Sequence, residues 1–261
     1  MAKFPPHPQR RGAVITGASS GIGLATAEAL ALAGHPVVLG ARRIDDLEMA
    51  AARIRENGGE AHPIFLDLAD PATIEAFCST ARDALGEIEI IVANAARNQV
   101  GSVLETSPEE FEEVMSVNVA GTHRIIQTLL PEMVTRQRGD VVFITSDVVV
   151  NPRPSMVAYV ASKWGLEGYA RALQMELEGT GIRATVVRPG PTLTGMGMDW
   201  DADVTNAALD LWRKWGLSRH DNYMRPAGVA EAVMAVVEMA RGTHITTLEI
   251  HPEAPLHEVG E

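Results

Sequence analysis

Ala13-Val14-Ile15-Thr16-Gly17-Ala18-Ser19-Ser20-Gly21-Ile22-Gly23-Leu24-Ala25-Thr26-Ala27-Glu28-Ala29-Leu30-Ala31 is the stretch on which the fold turns. Residues 13–16 read as a short apolar strand, and residues 24–31 carry a strong helix pattern. A glycine-rich turn joins them. Gly17 and Gly21 permit tight backbone geometry and close approach of a ligand, and Gly23 permits close helix packing. The helix N-terminus presents unpaired N–H groups to a pyrophosphate, with Ser19, Ser20 and Ile22 completing the loop around it. A glycine pattern alone is a weak signal, but this one sits between a strand and a helix, where the motif requires it.

Working outward, the alternation repeats. Pro36–Ala41 reads as a second strand and ends in Arg42-Arg43. An NAD site places Asp or Glu about 20 residues after the glycine loop, on the ribose 2′-hydroxyl. Ala41 stands there instead, followed by Arg42, whose fork matches a 2′-phosphate, so NADP(H) is favoured over NAD(H). The alternative is a solvated arginine pair at the start of the next helix. That helix spans 44–57, and a third strand, Ala61–Leu66, leads to Asp67-Leu68. Asp67 can accept from an adenine amino group or mark the start of the helix over 71–85. A fourth strand, Ile88–Ala93, delivers Asn94-Ala95-Ala96. Ser107-Pro108-Glu109-Glu110 then opens a helix expected to run towards Leu130. Asn118 lies inside its apolar stretch; a buried amide needs partners, either as a structural hydrogen bonder or through a water that extends a proton path.

Asp140–Thr145 is the fifth strand and delivers Ser146. After a turn containing Pro152 and Pro154 comes a helix carrying Tyr159 and Lys163, four apart and therefore on one face. A free phenol titrates near ~10, and a neighbouring cation lowers that value. With the Ser146 hydroxyl on the carbonyl oxygen, the group can protonate a carbonyl receiving a hydride, or run the reverse. Ile182–Val187, the sixth strand, leads to Pro189-Gly190. Strand–helix repetition from 13 to 188 predicts an α/β chain with a Rossmann-type, doubly wound parallel sheet of about seven strands and helices on both faces. One domain over 12–261 follows an irregular lead-in, 1–11. Ser146, the glycine loop, Asp67, Asn94 and Pro189-Gly190 all follow strands and are expected on one sheet edge.

The chain has 261 residues, 46% hydrophobic and 21% charged, in keeping with a soluble globular protein. A formal charge of −12 argues against nucleic acid or an anionic membrane as the main partner. The one cysteine, Cys78, can form neither an internal disulfide nor a thiolate metal cluster, and its helical setting suits a buried small hydrophobe. The N-terminal residues lack the apolar core of a signal peptide, and no run reaches membrane-span length. A reducing, cytoplasmic location is expected.

These motifs together resemble the classical short-chain dehydrogenase/reductase family, over about Gly12 to His251. The spacing Gly17-x-x-x-Gly21-x-Gly23 is that family's type, and Asn118, Ser146, Tyr159 and Lys163 match its catalytic residues in order and spacing. The resemblance implies that Tyr159 is the general acid/base and that Lys163 holds the nicotinamide ribose and lowers the tyrosine pKa. It implies that Ser146 orients the substrate oxygen and that Asn118 supports a relay water. It places Asn94 and Ala95 at the cofactor, as it does Leu68 beside Asp67. Pro189-Gly190 with Thr192 and Thr194 would bracket the nicotinamide. Arg42 and Arg43 fall at the NADP-type position, and a homodimer or homotetramer is expected. The chain departs from the pattern with Ala96 in place of a glycine, and with Leu248-Glu249-Ile250-His251-Pro252 in place of a glycine-rich strand end.

Between 191 and 226 lies a segment expected to close the substrate side. Met196, Met198, Trp200 and Trp212 suit an apolar, adaptable pocket, with Asp147 at its inner wall. Val204, Ala207, Ala208, Leu211, Trp212 and Trp215 follow helical spacing. The same face can equally pack on the core or on another subunit. Asp199, Asp201 and Asp203 alternate as in a calcium loop, but Val204 and Asp210 stand where that loop needs Gly and Glu, so a solvated acidic loop is the better reading. His244, His251 and His257 are too widely spaced for a metal site. The reading is an oxidoreductase acting on an apolar alcohol or carbonyl compound. Its rivals are a non-catalytic NADP-binding sensor and a nucleotide-sugar epimerase or dehydratase.

Overall fold

The computed structural model describes residues 4–197, 200–218 and 220–256. Strand and helix alternate along the chain: β1 (Gly12–Thr16), α1 (Gly21–Leu32), β2 (Val37–Ala41), α2 (Ile44–Glu56), β3 (Ala61–Phe65), α3 (Pro71–Leu85), β4 (Ile88–Ala93) and α4 (Pro108–Met115). There follow a π-helical turn (Ser116–Gly121), α5 (Thr122–Arg136), β5 (Gly139–Ile144), α6 (Val157–Glu176), β6 (Ile182–Pro189), α7 (Ala202–Lys214), α8 (Pro226–Val237) and β7 (Thr247–Ile250).

All strand pairs are parallel, in the order β3-β2-β1-β4-β5-β6-β7. The order reverses between β1 and β4, which opens a crevice at their carboxyl ends. β1, β4 and β5 are buried throughout, as parallel strands covered on both faces must be. Phe77, Ile125, Phe143 and Leu166 fill the layer under α3, α5 and α6, while Ile15, Leu30, Leu39, Leu47 and Val233 fill the opposite layer.

Local chemistry sets several boundaries. Ser107 and Glu110 form a reciprocal capping box at α4, with Glu110 N donating to Ser107 Oγ at 3.1 Å and Ser107 N to Glu110 Oε2 at 2.8 Å. Asp70, not Asp67, caps α3. The single helix expected over 107–130 is instead two helices joined by the π-helical turn, and α5 continues past Pro131 to Arg136. Packing of Leu129 and Met133 on the core sustains that last turn. At the turn, Gly121 lies so close to the chain at Leu68 that an added Cβ would stand 2.3 Å from the Leu68 carbonyl oxygen.

Residues 4–11 carry neither helix nor strand, yet they are anchored. His7 Nε2 lies 3.1 Å from the Met239 carbonyl oxygen and from Arg183 Nη2. Below it, Asp140 holds both Arg11 and Arg183 in a buried ionic cluster at the amino ends of the strands, on the opposite edge from the crevice.

Candidate active site

The glycine turn is riveted to the end of β4. Asn94 Nδ2 donates to the carbonyl oxygens of Thr16 at 2.9 Å and Gly17 at 3.3 Å, while Thr16 Oγ1 accepts from Asn94 N at 3.1 Å and Ala95 N at 3.0 Å. Gly17 and Gly21 hold φ of +69° and +57°, a region that favours glycine. A Cβ at Gly23 would lie 2.4 Å from the Gly17 carbonyl oxygen and 2.5 Å from Asn94 Nδ2, so only glycine allows this approach. Ser20 is the N-cap of α1 but makes no side-chain cap bond, and the first turn holds no acidic residue. The orphan N–H groups there suit an anion, which is what a dinucleotide's pyrophosphate requires.

At the end of β2 the arginines divide their tasks. Arg43 Nη2 donates to Ser19 Oγ at 3.1 Å and Ser20 Oγ at 3.0 Å, and its Nε pairs with Asp46 at 3.0 Å. Arg42 is exposed beside it. Asp67 Oδ1 accepts from Ala69 N at 2.9 Å, and Leu68 is buried against Gly121. Across the crevice, Thr192 Oγ1 donates to the Gly190 carbonyl at 2.9 Å, and Thr194 packs against Gly21. Gly190 N donates to Ile250 O at 2.8 Å, and Pro189 ends β6. These residues lie at or just after the carboxyl ends of β1, β2, β3, β4 and β6.

Ser146, Tyr159 and Lys163 are gathered at the carboxyl end of β5. Tyr159 is 8% exposed, and burial pushes its phenol up to about 12. The Ser146 hydroxyl works against that rise, Asp147 adds to it, and Arg153 opposes it. Burial pulls the Lys163 amine down to about 7. Its Nζ lies 5.5 Å from the Tyr159 ring centre and donates to the Ile144 carbonyl at 2.8 Å. The lowering of the phenol expected from its lysine neighbour is not found: burial raises it, and the amine is spent on a backbone carbonyl. Ser146 Oγ accepts from Val148 N at 3.3 Å and donates to Asp147 Oδ1 at 3.2 Å.

Asn118, 1% exposed, spends its amide on protein. Oδ1 accepts from Arg97 N at 2.7 Å, and Nδ2 donates to Arg97 O at 2.9 Å and Ser162 Oγ at 2.8 Å. Ser162 Oγ in turn donates to the Tyr159 carbonyl at 2.8 Å. These bonds tie the segment after β4 to the Tyr159 helix. Ser162 was not singled out in the sequence; a serine inside a helix and three residues from Tyr159 was its only mark.

On the substrate side, Val148, Met156 and Tyr159 form a small buried cluster with Ala96, Val160 and Trp212 packed on it. Asp147 is buried and gripped at both oxygens by Arg153, at 3.0 and 2.6 Å. Sequence reading gave Arg153 no role; its only signal was a position between two prolines, six residues after Asp147. Met196 is 43% exposed and Trp200 covers Gly197, so neither joins the cluster around Tyr159. Met198 and Asp199 lie outside the described residues, as does His257. Trp215 is 64% exposed. Asp201 caps α7, accepting from Asp203 N and Val204 N, both at 3.0 Å. Among the described residues, no group of three or more His, Cys, Asp or Glu is placed to hold a metal ion, and no helix is long and apolar enough to cross a membrane.

Comparison with known proteins places this geometry in context. A family model described as short chain dehydrogenase matches residues 11–205. The putative ketoacyl reductase of the monensin polyketide synthase from Streptomyces virginiae is 38% identical over 188 residues, 71% of this chain and 72% of its own length. Glycine betaine reductase from Emericella nidulans is 33% identical over 241 residues, 92% of this chain but only 18% of that much longer protein. The structure of an alcohol dehydrogenase from the archaeon Thermococcus sibiricus, complexed with 5-hydroxy-NADP, superposes with a TM-score of 0.80 at 30% identity, covering 92% of this chain and 96% of that one.

Proposed function

The chain belongs to the short-chain dehydrogenase family, and on that premise we propose that it is an NADP(H)-dependent oxidoreductase interconverting an apolar secondary alcohol and its carbonyl compound. The observation that carries this reading is a buried phenol, Tyr159, flanked by the Ser146 hydroxyl and the Lys163 amine on the same sheet edge as the glycine turn. A dinucleotide held there would supply the hydride chemistry through its nicotinamide ring. The chain's own residues do the rest. Ser146 orients the carbonyl oxygen, and Tyr159 delivers a proton to it or, in the reverse direction, removes one. Lys163, buried beside Tyr159, would hold the ribose hydroxyls of a bound dinucleotide. Asn118, through Arg97 and Ser162, keeps the Tyr159 helix in place.

The residues around the crevice fit the cofactor. First-turn N–H groups of α1 would hold the pyrophosphate, and Asn94 and Ala95 would line the crevice beside it. Arg42 and Arg43, with Ser19 and Ser20, would hold a 2′-phosphate, and no acidic residue stands at Ala41 to repel it. The 5-hydroxy-NADP in the Thermococcus sibiricus protein's structure is in keeping with a nicotinamide dinucleotide. Asp67 would meet the adenine, and Pro189, Gly190, Thr192 and Thr194 the nicotinamide end.

An apolar substrate is favoured by the wall of Val148, Met156 and Trp212. Self-association as a homodimer or homotetramer belongs to the same proposal. Val157, Trp164, Gly168 and Met175 form an exposed, mostly apolar stripe along α6, of the kind that marks a protein contact. A reducing, cytoplasmic setting is in keeping with the buried, unpaired thiol of Cys78.

The test is a panel of apolar ketones with NADPH, and of secondary alcohols with NADP⁺, followed by absorbance of the reduced nicotinamide. Turnover that is faster with NADPH than with NADH is expected. Turnover with NADH at least as good would overturn the cofactor assignment, and no turnover across the panel would count against the reaction class.

A further inference from the structure

Helix α7 closes the substrate side with little to hold it: Ala208 is its one fully buried residue among those described. Trp212 attaches it to the segment that follows β5. Trp212 Nε1 donates to the Pro154 carbonyl at 2.9 Å, and its ring receives the Arg153 guanidinium at 5.7 Å from the centroid. The cation thereby links an indole ring to a carboxylate. It grips both oxygens of Asp147, through Nη1 at 3.0 Å and Nη2 at 2.6 Å. Asp147 Oδ1 also accepts from Ser146 Oγ at 3.2 Å. One unbroken chain of contacts thus runs from the closing helix to the hydroxyl beside Tyr159.

The strap that presents Arg153 is itself pinned. Pro152 and Pro154 restrict the backbone on either side of it. Ser155 adopts the left-handed region at φ +62°, and its carbonyl accepts from Gly101 N at 2.9 Å. A strained serine at the end of the strap is a sign of a segment held for a purpose.

We propose that Arg153 is a positioning residue that couples the seating of helix α7 on the substrate side to the orientation of the Ser146 hydroxyl. The proposal rests on the reading of Ser146 and Tyr159 as the pair that handles the substrate oxygen. Asp147 and a substrate oxygen compete for the same Ser146 proton. With Arg153 on both its oxygens, the carboxylate is a weakened acceptor and Ser146 is free to turn to substrate. Without Arg153, a buried and unpaired carboxylate holds the Ser146 proton in a charge-assisted bond. It also stands uncompensated beside the phenol. The charged and titratable groups bearing on Tyr159 are Asp147 and Arg153 from the segment after β5 and Lys163 from its own helix. Asp147 disfavours the phenolate and Arg153 favours it. Departure of α7, which takes Trp212 off the guanidinium, loosens the grip in the same direction. Closure and alignment are then one event.

The test uses the full-length protein as Arg153→Met, Arg153→Lys and the double variant Asp147→Asn/Arg153→Met. Hydrogen–deuterium exchange over 202–214, measured without cofactor or substrate, reads the seating of α7 independently of turnover. Arg153→Met is expected to speed exchange there at least several-fold. In turnover, kcat should fall by roughly a hundredfold, as expected for a misoriented site, with dinucleotide affinity unchanged. The acid limb of the alcohol-oxidation profile, where the phenol keeps its proton and cannot act as base, should move to higher pH. Removing the orphaned charge in the double variant should restore most of kcat and return the profile. Arg153→Lys, which keeps the charge but loses the fork and the stack, should fall between, and it decides the matter if Arg153→Met does not fold. Unchanged exchange in α7 would overturn the coupling. So would a loss of kcat with no displacement of the profile and no recovery in the double variant. An inactive wild type would instead sink the oxidoreductase reading, leaving the exchange result to decide the latch.

Discussion

Lys163 holds its Nζ 5.5 Å from the centre of the Tyr159 ring and donates from it to the Ile144 carbonyl oxygen at 2.8 Å. Both side chains are buried, and burial drives them in opposite directions, the amine down to about 7 and the phenol up to about 12. Each is pressed towards its neutral form. A proton-transfer site poised in this way has a signature in stability as well as in rate.

That signature follows from linkage. Unfolded, Lys163 regains its ordinary pKa, 10.5, so between about 7 and that value the unfolded chain binds more protons than the folded one. Stability must therefore rise with pH across that window. Tyr159, shifted the other way, opposes the rise only above its ordinary value of 10.0. Denaturant unfolding of the wild type and Lys163→Met at about pH 7 and about pH 9.5 checks this, with a relative gain for the wild type of the order of a few kcal/mol. A difference that does not change with pH would show that the amine is not desolvated.

Gly23→Ala should damage the glycine turn rather than merely stiffen it. The added carbon would meet the Gly17 carbonyl at 2.4 Å and Asn94 Nδ2 at 2.5 Å, and the backbone there cannot yield. A loss of about 1–3 kcal/mol in stability is expected, with a larger loss in dinucleotide binding. Isothermal titration with NADPH beside a denaturant curve separates the two. Wild-type affinity in this variant would argue against the turn as the phosphate site.

The two arginines after β2 make a separable prediction. Removing Arg42 and Arg43 together as alanines should cut the preference for NADPH over NADH by about tenfold or more, since a charge-assisted contact to phosphate is worth roughly 1.5–3 kcal/mol. Of the single variants, Arg43→Ala should also loosen the loop, because Arg43 alone bonds Ser19 and Ser20. An unchanged ratio of kcat/KM for the two cofactors in the double variant would refute the assignment.

Cys78 offers a control on the fold. Its thiol is buried in the core and raised to about 11 by desolvation. Thiol reagents at neutral pH should leave it unmodified until the chain unfolds, which mass spectrometry across a denaturant series will show. Rapid labelling of native protein would place that helix wrongly.

The legible parts of this chain were those decided within a few residues. The step from Ala13–Thr16 through three glycines into a helix announced a strand, a phosphate-type turn and the parallel sheet that follows from repeating it. Spacing put Tyr159 and Lys163 on one face. Less was legible wherever a side chain's direction depends on a turn. Arg42 and Arg43 are adjacent in sequence, and only the geometry after β2 sends Arg43 to the glycine loop. The π-helical turn at Asn118 leaves no pattern in hydrophobicity, so its bonds to Arg97 and Ser162 were invisible. Arg153 meets Asp147 across an irregular strap, where no periodicity applies. Along α7, helical spacing grouped Trp212 with Trp215, but packing divides them: Trp212 sits on the Tyr159 cluster and Trp215 faces solvent.

The most direct test of the central claim, that Tyr159 is the proton donor and acceptor for a carbonyl or alcohol oxygen, is the Tyr159→Phe variant, assayed for turnover and for NADPH binding on the same preparation. Loss of one hydroxyl should lower kcat by about 10²–10⁴ while the dissociation constant for NADPH stays within about twofold, because the phenol moves a proton and does not hold the phosphates. Turnover that survives the substitution, or NADPH binding that disappears with it, would contradict the account.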